Sequence, residues 1–247
     1  MNPKPMSDLP TVQERLLREY FPAEAEQNAA RARLSNGEPL AYILGEWYFY
    51  NEVYTVTPDV LIPRPDTEIL VQETIRRLPK NTRFLDLCTG SGCVAVSVLA
   101  NRPDLTAVAV DISEPALRIA AQNAERNGVS DRITFARADV LHCDPRSLGY
   151  DFAAVCSNPP YINSDVIETL SPQVRCEPRI ALDGGADGMD FYRAVLQNFP
   201  AVLRSDGIFL FEIGYDQSDK IRRTAAPRSC EILYDYSGNT RVAVIPA

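Results

Sequence analysis

The chain has 247 residues, 45% of them hydrophobic and 23% charged, and a net charge of −8. That is enough apolar material for one sizeable core, and no run of 18 apolar residues exists to span a membrane. Basic residues cluster only as isolated pairs such as Arg76-Arg77 and Arg222-Arg223, which argues against direct nucleic-acid binding and for a protein or small-molecule substrate.

Met1 to Pro10 carries one lysine and no apolar stretch, unlike a secretory signal. Leu9, Val12, Leu16, Leu17 and Tyr20 fall at helical spacing and predict a helix over residues 8–20. Pro22 can open a second helix running to about Leu34, which Asn36-Gly37-Glu38-Pro39 stops. Residues 46–57 are rich in Trp, Tyr, Phe, Val and Thr around Asn51-Glu52 and read as a β-hairpin. Trp47 belongs to the packing of that hairpin. A helix opens at Pro65, with Asp66 and Glu68 favouring its positive end and Ile69, Leu70, Ile75 and Leu78 as its apolar face.

From residue 82 strands alternate with helices. Strands are predicted at Phe84–Leu87, Ala107–Val110, Ile133–Phe135, Phe152–Cys156, Ile208–Ile213, Glu231–Tyr234 and Thr240–Ile245. Helices are predicted over about 93–100, over Glu114–Asn127 between Ser113 as cap and Gly128 as stop, and over about Met189–Leu203. Alternation with continuous apolar strands means an α/β fold with a doubly wound, mostly parallel sheet. Residues 162–188 have no clear period and contain Gly184-Gly185, which suits a lid or substrate loop.

Six cysteines (Cys88, Cys93, Cys143, Cys156, Cys176 and Cys230) show neither a CxxC pair nor a Cys/His metal spacing. Reduced, mostly buried thiols in a cytoplasmic protein without a metal are expected. A Ser-His-Asp hydrolase, or a metal site with a histidine ligand, would rest wholly on the one histidine, His142.

The most informative stretch is Ser157-Asn158-Pro159-Pro160-Tyr161, at the end of the fourth strand. Two prolines fix φ and remove two amide donors, so neither sheet nor helix continues there. The turn is left rich in acceptors: the Asn158 side-chain oxygen, the carbonyls of Asn158 and Pro159, and an aromatic face from Tyr161. It suits a planar amide or amine bearing two N–H donors. Upstream, Asp86-Leu87-Cys88-Thr89-Gly90-Ser91-Gly92 joins the first strand to its helix. Gly90 and Gly92 there let a ligand approach the backbone beside free helix N–H groups. Asp111, ending the second strand, can accept both hydroxyls of a ribose. Asp139, after the third strand, can accept from an exocyclic adenine amine. The spacing is not GxGxxG, and no lysine follows the glycines, so a dinucleotide or phosphate-cradling loop is disfavoured.

In this order the motifs resemble an S-adenosylmethionine-dependent methyltransferase of the seven-stranded, Rossmann-like class I fold. The run Leu61-Ile62-Pro63-Arg64-Pro65-Asp66-Thr67-Glu68, with Pro39-Leu40-Ala41-Tyr42-Ile43-Leu44-Gly45 and Glu177-Pro178, is similar to the PrmC/HemK family. That family methylates the glutamine of the Gly-Gly-Gln loop in peptide-chain release factors. The resemblance covers roughly residues 38–247. It implies S-adenosyl-L-methionine as cofactor, bound by Asp86, Thr89, Gly90, Gly92, Asp111, Asp139 and Asn158. It implies a release factor as protein substrate, met by Asn158, Pro159, Pro160, Tyr161 and Glu177. Asn158, Pro159 and Tyr161 are the implied catalytic residues, and no metal is expected. Thr67 and Glu68 are placed near the cofactor or substrate mouth by the same resemblance.

Two positions depart from the family's pattern. Cys88 stands where the family usually has glycine, and is expected to pack beneath the loop. Only about 37 residues precede Pro39, so the N-terminal helical part looks shortened. The expected division is a helical segment over 1–38, a hairpin linker over 39–62 and a methyltransferase domain over 63–247. The alternatives are glutamine methylation of another protein, a non-catalytic binding module, and a DNA adenine amino-methyltransferase. The last uses the same turn on a flipped base but needs a basic face and a target-recognition domain, neither visible here.

Overall fold

The computed structural model describes residues 11–247, so the expected helical position Leu9 lies outside the described residues. Two helices, α1 (Val12–Tyr20) and α2 (Glu24–Ser35), come first, followed by a short α3 (Leu40–Leu44). The Thr11 hydroxyl caps α1 by accepting from the Glu14 amide at 3.2 Å. Pro22 does not open α2; Ala23 stands at the cap, and the Glu26 carboxylate accepts from its amide at 3.4 Å. Leu17, Ala30 and Ile43 bury one another, with Phe21, Leu34, Leu40 and Leu44 around them. This small apolar cluster therefore reaches from α1 into α3.

The hairpin is β1 (Glu46–Phe49) and β2 (Glu52–Thr55), antiparallel. Pro65–Thr67 forms a single 3-10 turn before α4 (Glu68–Arg77), so the α-helix starts three residues later than the proline suggests. The main sheet is made from β3 (Arg83–Leu87), β4 (Thr106–Asp111), β5 (Ile133–Arg137), β6 (Phe152–Ser157), β7 (Leu203–Glu212), β8 (Glu231–Tyr234) and β9 (Thr240–Pro246). Its order is β5-β4-β3-β6-β7-β9-β8. The pairs from β5 to β7 are parallel, and β9 runs antiparallel to both its neighbours. This is the seven-stranded, mostly parallel sheet the strand pattern predicts.

Helices α5 (Cys93–Asn101) and α6 (Glu114–Arg126) follow β3 and β4. A short α7 (Pro172–Arg175), then α8 (Asp190–Asn198) and α9 (Ser218–Ala225), complete the chain. Helix α8 stops at Asn198, earlier than its apolar pattern suggests. Pro200 lacks the amide that would donate to the Leu196 carbonyl, and a 3-10 turn carries the chain to Leu203. Strand β7 begins there, five residues earlier than expected.

Alternate residues of each central strand feed opposite cores. Phe84, Ala107, Ala109, Ala154, Cys156 and Leu210 face α4 and α5, while Leu85, Leu87, Val108, Val155, Phe209 and Phe211 face α8. Sheet faces covered on both sides explain why these strands read as unbroken apolar runs. The expectation of mostly buried thiols holds fully for Cys156 alone; four others are half-buried at loops and helix starts, and Cys176 is exposed. All six are free thiols.

Chain order reverses between β3 and β6. The segments leaving their carboxyl ends diverge there, which opens a crevice at the point where doubly wound sheets bind ligands.

Candidate functional site

The loop after β3 is built from beneath by Asp86. Its Oδ2 accepts from the Thr89 hydroxyl at 2.6 Å and from the Ala95 amide, in the first turn of α5, at 3.2 Å. Asp86 is 1% exposed. Burial, with a small contribution from the Asp111 charge, outweighs those two donors and pushes its carboxyl up to about 7. Gly92 adopts φ of +81° at the cap of α5, and a Cβ there would lie 3.1 Å from that of Ala120 on α6. Its absence of side chain thus serves helix packing. Cys88 takes the left-handed conformation as well, at φ +58°. Its side chain packs against the α8 core and also lines the crevice, so it is only half covered by the loop.

The crevice opens into a cavity of about 630 Å³. Gly90, Asp111, Asp139 and Asn158 all line it, with apolar walls from Ile112, Val140 and Phe191. Asp111 Oδ2 accepts from the Gly90 amide and Oδ1 from the Ser113 amide, each at 2.9 Å. These bonds fix the carboxylate at the strand end and leave lone pairs on each oxygen. Burial raises the Asp111 pKa, opposed by those amides. Asp139 accepts from the Leu141 amide at 2.9 Å and pairs with His142 Nδ1 at 2.8 Å. The His142 hydrogen bond is the main reason its carboxyl lies below the usual range. His142 thus steadies an acidic side chain of the cavity. A recess of about 30 Å³ adjoins the cavity beneath the loop, lined by Asp86, Thr89, Thr67 and Asn158 among others.

Asn158 also borders a second pocket, of about 210 Å³, lined by Leu61, Arg64, Tyr161, Leu170 and Glu212 among others. Asn158 and Leu61 border all three spaces, and of the two only Asn158 carries a polar side chain. Its Nδ2 donates to Thr67 Oγ1 at 3.2 Å, while its Oδ1 and the Pro159 carbonyl have no hydrogen-bond partner among the described residues. Pro159 is buried and lines none of these spaces; Pro160 forms part of the large cavity and Tyr161 part of the second pocket. The turn is pinned from outside. Gln217 Nε2 donates to the Tyr161 carbonyl at 3.0 Å. Gly184 lies so close that a Cβ there would come within 2.6 Å of Tyr161 Cα.

Glu177 is turned inward. It forms an ion pair with Arg64 and accepts from the Ile62 amide at 3.1 Å, tying residues 162–188 to the segment before α4. Its carboxylate is 1% exposed and lines none of the three spaces, which favours an orienting role over direct contact with substrate. Thr67 sits at the site itself, whereas Glu68 accepts from the Tyr50 amide at 3.1 Å and holds the hairpin tip.

Four contributors carried no motif signal. Glu212 is buried at the end of β7, where burial pushes its carboxyl up to about 7 against the Thr67 hydrogen bond. Arg241 on β9 pairs with Asp66 at 3.1 Å and Asp235 at 3.2 Å, while its buried Nε has no partner. Asn123 on α6 accepts from the Thr55 amide at 2.7 Å and donates to the Thr55 and Ser91 carbonyls. Phe191 on α8 lines the cavity. The one available signal was a charged or amide residue inside an apolar run, as at Glu212 in Leu210-Phe211-Glu212-Ile213.

None of the described helices is long and apolar enough to cross a membrane. Among the described residues, no three His, Cys, Asp or Glu side chains converge to hold a metal.

The model of the methyltransferase small domain matches residues 65–172, which hold the loop after β3, both strand-end aspartates and the Asn158 turn. A release factor glutamine methyltransferase of Neisseria gonorrhoeae is 40% identical, covering 97% of this chain and 94% of its own length. The chain belongs to the release factor glutamine methyltransferase family. Another member, from Nitratidesulfovibrio vulgaris, is 43% identical over 85% of this chain and 73% of its own. Among solved structures, the ribosomal protein L11 methylase of Lactobacillus delbrueckii subsp. bulgaricus aligns with a TM-score of 0.54 at 21% identity, covering 77% of this chain and 82% of that one. That likeness concerns the fold.

Proposed function

We propose that this protein transfers a methyl group from S-adenosyl-L-methionine to the side-chain amide nitrogen of the glutamine in the Gly-Gly-Gln loop of a peptide-chain release factor. The observation that carries this reading is the Asn158 turn between two pockets, with Oδ1 and the Pro159 carbonyl both unpaired. Two unpaired acceptors on adjacent residues match in number the two N–H donors of a primary amide. Family membership, at 40% identity over nearly the whole chain, supports the release factor as substrate.

The larger cavity has the volume, the apolar walls and the two strand-end carboxylates that a nucleoside bearing an amino-acid tail requires. Asp111 would hold the ribose hydroxyls, Asp139 the adenine amine, and Asp86 Oδ1, which has no hydrogen-bond partner, the cationic end by way of the small recess. S-Adenosylmethionine, when bound, supplies an electrophilic methyl on a positively charged sulfur.

An amide nitrogen is a poor nucleophile because its lone pair is shared with the carbonyl. Asn158 Oδ1 and the Pro159 carbonyl would accept its two N–H bonds, fix its direction of attack and favour the positive charge that grows on it. With the donor bound, the methyl would pass to this nitrogen, the carbon–sulfur electron pair would stay on sulfur as a neutral thioether, and the surplus N–H proton would pass to solvent. Tyr161 supports the flat amide from the second pocket. The cytoplasm, where release factors act, is the corresponding compartment.

Asn158→Ala tests this directly. Methyl transfer should fall by at least about a hundredfold, as when a transition-state hydrogen-bonding group is removed, with cofactor affinity by calorimetry nearly unchanged. Near-normal turnover would refute the acceptor role.

A further inference from the structure

Asn158 is held from behind by a relay that the reaction above leaves unused. Glu212 Oε2 accepts from the Thr67 hydroxyl at 2.6 Å. Thr67 Oγ1 in turn accepts from Asn158 Nδ2 at 3.2 Å. Glu212 and Thr67 are both 1% exposed, so water does not compete for either bond. A hydroxyl has one proton to give. While that proton is committed to a carboxylate, Thr67 can meet Asn158 only as an acceptor. The Asn158 amide must then turn its NH2 inward and its Oδ1 toward the pockets, where an acceptor is needed.

We propose that Glu212, acting through the Thr67 hydroxyl, is a positioning residue that locks the Asn158 side-chain amide with its oxygen facing the substrate. This deepens the reading of Asn158 as acceptor and rests on it. The lock belongs to three elements far apart in the chain: the 3-10 turn before α4, the turn after β6 and the end of β7.

The lock has a sense with respect to pH. Glu212 is faced by Asp66 beside Thr67, by Arg241 on β9, by Cys93 on α5 and by the Tyr161 hydroxyl, 3.5 Å from Oε1. Tyr192 on α8 donates to its backbone carbonyl at 2.8 Å. Burial dominates these and puts the carboxyl at about 7. Below that pH Glu212 carries its own proton and can donate to Thr67. The Thr67 hydroxyl is then free to donate to Asn158, which favours the turned amide and sets N–H against substrate N–H.

The test is methyl transfer to a purified release factor at saturating cofactor, from pH 5.5 to 9. Wild-type kcat should rise through pH 7 and level off. Thr67→Val and Glu212→Gln should each lower kcat at pH 8 by about tenfold, the equivalent of one misdirected hydrogen bond, with cofactor KM unchanged and the acid limb gone. Thr67→Ser keeps the hydroxyl and should keep both rate and limb. The double variant Thr67→Val/Glu212→Gln should be no slower than Thr67→Val, because the relay acts as a unit. Calorimetric cofactor binding by each variant reports that it is folded. Wild-type kcat in Thr67→Val, an intact limb in Glu212→Gln, or additive losses in the double variant would overturn the lock. Near-normal transfer by Asn158→Ala would instead overturn the reading on which it rests.

Discussion

Asp86 shows how a site is prepared at the cost of stability. Its carboxyl, at 3.8 in an open chain, is pushed to about 7 in the fold. Below pH 3.8 both states hold the proton. Between 3.8 and 7 the unfolded chain has released it and the folded chain keeps it, so stability falls as pH rises through that window and stays low above it. Asp86→Asn retains an oxygen for Thr89 and Ala95 and removes the buried charge. The free protein should therefore melt higher than wild type at pH 8, with the difference closing toward pH 5, while cofactor affinity falls by at least about tenfold through the lost carboxylate. Differential scanning calorimetry and titration calorimetry read the two effects. A lower melting temperature at pH 8, or unchanged affinity, would contradict the assignment. At this scale much was legible from the sequence. Asp111, Asp139, Gly90 and Asn158 do share one cavity, because strand-end positions in a parallel sheet all open at the same edge. Cys88 was legible as a departure from glycine. Its left-handed backbone confirms why glycine suits that position, since a Cβ there is strained by about 1–2 kcal/mol.

Among elements, the hairpin β1–β2 is held to the loop after β3 by side chains that no periodicity announces. Asn123 bridges Thr55 on the hairpin and Ser91 in the loop. Tyr54, fully buried, meets Ser97 on α5 at 2.6 Å. Asn123→Ala would leave the Ser91 carbonyl and both Thr55 backbone groups without their partner. It should cost about 2–3 kcal/mol of stability and weaken cofactor binding, read by chemical denaturation and calorimetry. A loss under about 0.5 kcal/mol would mean the hairpin does not brace the loop. The sequence showed Asn123 only as a polar residue in a predicted helix. Its burial depends on where α6 packs, which is a tertiary fact. Residues 162–188 were unreadable for a related reason: their order comes from the Ile162–Asp183 bridge, the Glu177–Arg64 pair and glycine contacts with the turn, not from repeating apolar spacing.

For the molecule as a whole, alternation of strand and helix was enough to predict the sheet, because the central strands β3, β4 and β6 are buried on both faces. The early start of β7 and the helix α9 were not. The first half of β7 is partly exposed, and α9 is short and charged, so neither presents the apolar run that marks a core element. The switch between β3 and β6 gathers the large cavity, the Asn158 turn and the second pocket at one edge of the sheet. On the proposed function, the methyl donor and the protein amide would meet at Asn158, which borders both pockets. The decisive measurement is transfer of labelled methyl from S-adenosylmethionine to a purified release factor, beside the same factor with its Gly-Gly-Gln glutamine changed to alanine. The account predicts label on the first and none on the second. Equal labelling of both, or no label on either despite calorimetric cofactor binding, would contradict it.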